Sequence, residues 1–302
     1  MRKLILGTAV AAAFTAPVAV STAYAQTAAA PASPITYNVG VVSDYLFRGI
    51  SQTHGRPAIQ GGVDYAHSSG LYLGAWASQI TWVKDLYSSG RTEIDVYGGY
   101  KNPFAGGDWN YDVGYITYNY PGSGAAYTTN LAAAVAGAAK PNTQELYGAI
   151  GYKWLTGKYS YTTSKNFIGW QGGVNANQTT RGSDYLELNA NYDVGDGWTL
   201  IGHYGHQNVK GSVTLVPALN SARSASYSDW KLGVSKDVGF GTVTLAYSTT
   251  NADGTCSNAA GAINTNPYCW GNSGNVNGVS GPTTGFKDAS KGTTVLSFLK
   301  TF

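Results

Sequence analysis

Charge is scarce in this sequence. Asp, Glu, Lys and Arg make up 12% of its 302 residues, about half the ~25% of an ordinary soluble domain. The net charge is +3 and the basic residues are scattered, so nothing points to nucleic acid. Long apolar runs are scarce as well. Beyond residue 25 none approaches the ~18 residues of a transmembrane helix, and the most helix-like stretch, 131–140, is too short. Methionine occurs once and cysteine twice. The sequence carries no Gly-x-Ser-x-Gly elbow, no His-Glu-x-x-His and no phosphate-binding glycine loop ahead of a helix. No catalytic residue, metal ligand or cofactor is therefore expected.

What the chain has instead is glycine and aromatics: 40 Gly, 23 Tyr, 8 Trp and 8 Phe. Low charge without hydrophobic helices fits a lipid-facing band of strands, which excludes charge without forming continuous apolar runs. Tyrosine and tryptophan suit the aromatic girdles of such a band. Arg2 and Lys3, the apolar stretch 4–20 and Ala23-Tyr24-Ala25 form the pattern of a secretory signal peptide. The expected organisation is a signal peptide at 1–25, an Ala/Pro/Thr-rich leader at 26–34 and one β-barrel at 35–302.

Residues 37–48 read Tyr-Asn-Val-Gly-Val-Val-Ser-Asp-Tyr-Leu-Phe-Arg. Tyr37, Val39, Val41, Tyr45 and Phe47 alternate with Asn38, Asp44 and Arg48. Period 2 predicts a strand, and twelve residues exceed the ~9–11 of a tilted membrane strand. An edge strand of a soluble sandwich has the same local pattern. Further alternation marks 58–67, 71–83, 92–101, 108–120, 144–154, 157–165, 184–194, 198–207, 227–237, 241–250 and 292–302. That gives about twelve strands, with ten or fourteen allowed by the unsettled stretch 157–183. The connections decide between sandwich and barrel. Every second one is short (67–70, 102–107, 155–156, 195–197, 238–240) and those between are long (49–57, 84–91, 121–142, 166–183, 208–226, 251–291). A sandwich has no reason to sort loop length by parity. An antiparallel outer-membrane barrel does, with short periplasmic turns and long extracellular loops. Lipid supplies no hydrogen bonds, so the sheet must close, pairing the first strand with the last. Leu296, Phe298 and Phe302 resemble the terminal signal read by the outer-membrane assembly machinery, although Lys300 interrupts the phase.

The stretch 42–52, Val-Ser-Asp-Tyr-Leu-Phe-Arg-Gly-Ile-Ser-Gln, resembles the TorF porin family of proteobacterial outer membranes. So do Pro57 to His67, Gly70 to Ser78, Asp95-Val-Tyr-Gly-Gly-Tyr100, Lys158-Tyr-Ser-Tyr-Thr162 and the terminal Phe302. The N-terminal third matches best, and 121–142 and 251–291 look like loop expansions. The resemblance implies outer-membrane location and barrel architecture more than any particular solute.

The inward phase is predicted to place Asp44, Asp64, Glu93, Asp95, Asp112, Glu145, Glu187 and Asp229 in the lumen, with Arg48, Lys101, Lys153, Lys231 and His203. An acidic excess predicts weak cation preference if the pore is open. An internal charge network that plugs the barrel is the equal alternative, because twelve strands lie between the filled ~8-stranded barrel and the open ~16-stranded one. Cys256 and Cys269 are expected to form a loop disulfide; reduced thiols or a metal pair are the alternatives. The expected partners are outer-membrane lipids, the assembly machinery and small hydrophilic solutes. The leading functional expectation is passive diffusion of such solutes. The alternatives are a non-conducting structural or adhesion barrel acting through its long loops, and a lipid-modifying enzyme using His206, which falls on the outward phase near the long-loop rim.

Overall fold

The computed structural model describes residues 33–87, 90–122, 141–170, 178–213, 222–257, 266–270 and 286–302. The predicted signal peptide, nearly all of the leader and the stretch 131–140 lie outside the described residues. Twelve antiparallel strands close into one barrel. They are β1 (Ile35–Val42), β2 (Ala58–Ala66), β3 (Leu71–Gln79), β4 (Thr92–Phe104), β5 (Trp109–Asn119), β6 (Thr143–Tyr152), β7 (Leu155–Thr162), β8 (Asp184–Gly195), β9 (Trp198–Asn208), β10 (Tyr227–Asp237), β11 (Thr242–Thr250) and β12 (Thr293–Thr301). Each strand pairs with its sequence neighbours, and β1 closes the sheet on β12 from Asn38↔Thr301 to Val42↔Ser297. Tyr37 and Phe302 exchange backbone hydrogen bonds at the seam. This is an up-and-down meander, so connections alternate between the two rims, and the short and long classes fall as the loop parity requires.

The exterior is apolar. Val41, Ile59, Leu73, Leu146, Leu186 and Leu200 are exposed along their strands, and Leu232 is 73% exposed. In water such a continuous surface would cost about 25 cal/mol for each Å²; in a bilayer it is the required surface. Aromatic rings gather at the short-turn rim, where Trp109 lies 4.7 Å from Tyr152, Trp154 5.8 Å from Tyr192, and Phe240 5.7 Å from Phe298. Tyr204 and Trp230, 5.8 Å apart, belong to the opposite band. Leu296 and Phe302 are exposed on the same outer face, and Lys300 lays its Nζ 4.8 Å from the Phe302 ring centroid.

The turn expected at 155–156 falls at 153–154, with β7 starting at Leu155, and β4 runs on to Phe104. Two larger differences break segments that read as single strands. Residues 71–83 are not one strand: β3 ends at Gln79, and Trp82–Tyr87 is a short helix, α1, whose Trp82 and Val83 are buried. Residues 37–48 are not one strand either. The pairing of β1 with β12 stops at Val42, and the chain then turns into the barrel. Tyr45 and Phe47 are therefore 2% and 6% exposed inside the molecule instead of facing lipid. The cause is local. Asp44 accepts hydrogen bonds from Ser51 Oγ at 2.7 Å, Thr53 Oγ1 at 2.8 Å and the Gly55 amide at 3.2 Å, and this closes the loop on itself. A carboxylate with three donors holds such a turn more firmly than water would.

Cys256 and Cys269 form a disulfide. Neither lies in a barrel strand. Reducing it should leave the heat-modifiable gel shift of the folded barrel unchanged while increasing protease cleavage between residues 251 and 292. Loss of the gel shift on reduction would show that the bond supports the barrel itself.

Candidate functional site in the barrel lumen

The centre of the barrel is occupied by its own first long loop. Leu46–Phe47 and Ile50–Ser51 pair as a hairpin whose tip is Arg48-Gly49. Both tip residues have positive φ, 48° and 78°, the geometry of a two-residue primed turn. Glycine is required at position 49 because a Cβ there would meet Asp229 Cβ at 2.8 Å on the far wall, and Thr250 is closer still. The hairpin thus spans the lumen from β1 to the β10–β11 wall.

Arg48 fixes it there. Its guanidinium donates to Glu145 Oε2 at 2.7 Å, to Glu145 Oε1 at 3.2 Å and to Gln207 Oε1 at 2.6 Å. The fork therefore bridges β6 and β9. Phe47 and Tyr185 lie within 4.8 and 4.3 Å of the guanidinium carbon, measured to ring centroids. Arg48 is 3% exposed and Glu145 is fully buried. A planar, bidentate, ring-stacked arginine is an arrangement lysine cannot copy. Phe47 packs edge-on against Tyr118 at 5.5 Å, and Tyr45 against Trp76 at 5.5 Å.

The remaining lumen charges form two groups. On the β7–β10 wall, Lys158 Nζ lies 3.8 Å from Glu187 Oε1, and His203 meets Asp229 Oδ2 at 2.8 Å and Asn189 Oδ1 at 2.7 Å. Asn189 donates to Glu187 Oε2 at 2.8 Å, and Lys231 sits opposite His203 in the register. On the β2–β6 wall, tyrosines serve the acids. Tyr97 Oη donates to Asp64 Oδ1 at 2.6 Å and Tyr72 Oη to Asp112 Oδ1 at 2.6 Å. Tyr72 also touches Tyr147 through the two hydroxyls, and Lys101 lies 5.0 Å from the Tyr72 ring centroid. These rings lie flat over glycines directly across the ladder, in the pairs Tyr72↔Gly99, Tyr97↔Gly74 and Tyr147↔Gly114. A Cβ on any of the three glycines would collide with the ring or its hydroxyl. Aromatic side chains over cross-strand glycines are a known means of pinning barrel register.

Exposure differs from wall to wall. Glu93, Asp95, Glu145 and Gln207, level with the plug, are 0–1% exposed. Nearer the short turns Asp64, Lys101, Asn189 and Asn191 are half-buried, whereas Asp112, Thr199, Ser235, Thr244 and Ser297 are buried. The half-buried polar groups thus lie at the short-turn end along β2, β4 and β8, and the hairpin crosses the lumen between them and the long loops. Above the hairpin, loop side chains pack as a cap, with Trp82 5.0 Å from Tyr120 and Tyr268 5.1 Å from Tyr227.

A family model described as "Bacterial protein of unknown function (Gcw_chp)" matches residues 12–270. The chain belongs to this family. No curated protein matches it. Among solved structures it is similar to the KdgM porin, with TM-score 0.45 and 7% identity over 89% of this chain and 98% of that one. It is also similar to the NanC porin, with TM-score 0.42 and 9% identity over 89% and 98%. The outer membrane protein OpdK of Pseudomonas aeruginosa gives TM-score 0.37 and 13% identity over 82% of this chain. This chain spans 57% of the OpdK chain. At these values the likeness goes no further than a barrel.

Within this Gcw_chp barrel most of the residues expected in the lumen do face inward. Lys153 does not. It sits in the two-residue turn between β6 and β7 with φ 52°, half-exposed and 3.7 Å from Asp108 Oδ2. A turn breaks the period of 2, so the phase assigned to Lys153 does not hold. Lys158 takes its place as a lumen cation. Gln207 and the inward tyrosines 72, 97, 118, 147 and 185 also belong to the site. In the sequence Tyr97 and Tyr147 already share the inward phase of Glu93, Asp95 and Glu145; the facing glycines are the signal for their role there. His206 is outward and exposed, with Nδ1 2.9 Å from Ser228 Oγ. Among the described residues no carboxylate hydrogen-bonds this histidine, so the pair has no third group to orient it.

Proposed function

We propose that this protein is an outer-membrane, porin-like channel for small hydrophilic solutes, narrowed by the hairpin of its first loop. The observation that carries this reading is the polar inward face, half-buried toward the short turns along β2, β4 and β8, inside a closed barrel whose exterior is apolar. Lipid-facing strands support the membrane, and the signal-peptide pattern of residues 1–25 with the short-turn geometry supports the outer one. The resemblance of residues 42–52 to the TorF porins supports the same assignment, as does the exposed terminal Phe302 for recognition by the assembly machinery. The inward phase keeps eight carboxylates, those of Asp44, Asp64, Glu93, Asp95, Asp112, Glu145, Glu187 and Asp229. Its cations are Arg48, Lys101, Lys158 and Lys231. That balance favours weak cation preference.

The test is conductance of the refolded protein in a planar bilayer under a salt gradient. Ohmic steps with a reversal potential of cationic sign are expected, and an anionic sign would remove the selectivity claim. His206→Ala should leave these steps unchanged; a lipid hydrolase would instead lose hydrolysis with this substitution. One observation favours a second reading. The Arg48 latch is so fully buried that the hairpin could close the lumen permanently, leaving a structural barrel that acts through its long loops. A folded protein that is silent both with and without the latch would establish that reading.

A further inference from the structure

The lumen acids have donors from neighbouring side chains, with one exception. Asp64, Asp112, Glu145 and Asp229 each accept from a tyrosine, and Glu187 has Asn189 and Lys158. Asp95 is fully buried, and neither of its carboxylate oxygens has a hydrogen-bond partner among the described residues. Glu93, two residues earlier on the same inward face of β4, is 1% exposed; among the described residues its Oε2 is also without one, and its Oε1 accepts from the Tyr120 hydroxyl at 3.5 Å. Among the described residues neither carboxylate forms an ion pair with Lys, Arg or His. The nearby guanidinium of Arg48 is committed to Glu145.

A third buried group points into the same place from a different element. Tyr45, on the plug, is 2% exposed and its hydroxyl has no hydrogen-bond partner among the described residues. Its ring packs on Trp76, the cross-strand partner of Asp95, and Glu93 and Asp95 lie close enough to act on its hydroxyl, as do Tyr120 and Tyr118. Two carboxylates out of water without a counter-charge carry a penalty of several kcal/mol each. Their lone pairs, together with the phenol oxygens of Tyr45 and Tyr120, form an all-oxygen cluster. Hard cations prefer such ligands, and a dication neutralises two carboxylates. Calcium suits a dry site better than magnesium, which gives up its water reluctantly.

We propose that Glu93 and Asp95, roofed by Tyr45 of the plug, form a binding site for a divalent hard cation, of which calcium is the best fit. The site ties the plug to the β4 wall, beside the Arg48 latch. It does not depend on whether the barrel conducts.

The experiment is calcium binding by the full-length protein, refolded in detergent and stripped with chelator, followed by equilibrium dialysis with radioactive calcium. One calcium per chain is expected. Asp95→Asn and Glu93→Gln should abolish binding while keeping the heat-modifiable shift of a folded barrel. Tyr45→Phe should weaken it roughly 10–100-fold, the usual effect of removing a supporting group at a metal site. Calcium should also raise the denaturant midpoint of the wild type and not that of Asp95→Asn. A wild type that binds no calcium would overturn the proposal and leave a pocket holding a shared proton or water only. Binding that survives Asp95→Asn would overturn it equally.

Discussion

Arg48→Ala is expected to unplug the barrel, with a several-fold rise in single-channel conductance and a loss of ~3–5 kcal/mol in stability. Both effects follow from the same geometry. Among the described residues Arg48 alone hydrogen-bonds the hairpin tip to β6, through Glu145, and to β9, through Gln207. Removing it frees the tip from both, and it strands a fully buried Glu145 without its counter-charge. Breaking a buried pair from one side typically costs ~3–5 kcal/mol, because the orphaned charge remains in a low-dielectric site. Tyr118 Oη at 3.2 Å and Thr162 Oγ1 at 3.4 Å still donate to Glu145, which offsets part of the loss.

The two effects separate in the double variant. Arg48→Ala with Glu145→Gln leaves no stranded charge, so stability should largely return while the conductance stays high. Arg48→Lys should fall between, since an ammonium is a point charge that cannot make the bidentate fork or stack between Phe47 and Tyr185. Conductance that does not move in a folded Arg48→Ala barrel would show that the hairpin is held by packing alone, through Tyr45 on Trp76 and Phe47 on Tyr118. In that case the latch would not be the gate.

The barrel was legible in the sequence because lipid imposes a strict rule. Val39, Val41, Leu186, Leu188, Leu200 and Leu232 had to fall on one phase, and they do. The parity of loop lengths added topology, since a meander leaves no other way to arrange short and long connections. The plug was hidden by the same periodicity. Ser43, Asp44, Tyr45, Leu46, Phe47 and Arg48 continue the alternation of β1 without a break, yet they belong to a hairpin that packs inside the molecule. An inner hairpin and a membrane strand both need alternation, one to pack between walls and the other to divide lipid from lumen. What distinguishes them is Arg48-Gly49 between Phe47 and Ile50, a two-residue turn signal placed where the alternation ends. The lumen acids were also legible, as the polar half of each strand. Their partners were not. Tyr72, Tyr97 and Tyr147 fall on the polar phase of their strands, but that they serve the acids follows only from the register, which places glycine opposite each.

Leu232→Arg is expected to be the most damaging single change on the outer face, and its effect should depend on depth rather than on exposure. Leu232 lies at the middle of β10 and is 73% exposed; Phe240, in the turn between β10 and β11, is 67% exposed. By exposure the two are equivalent. In a bilayer they are not, because an arginine at the midplane of a lipid-facing strand costs ~2–4 kcal/mol and one near the interface ~0–1 kcal/mol. Measured against alanine at the same position, so that the lost side chain cancels, Leu232→Arg should destabilise the barrel in phospholipid vesicles by ~2–4 kcal/mol and Phe240→Arg by ~0–1 kcal/mol. Denaturant titration of vesicle-folded protein gives both values. In a water-exposed barrel both substitutions would fall within about ±0.5 kcal/mol, as ordinary surface changes do. Equal and small effects would therefore remove the lipid belt, and with it the membrane assignment on which the channel rests. A difference in the expected order would place the middle of β10 at the hydrocarbon centre and the aromatic turn at its edge.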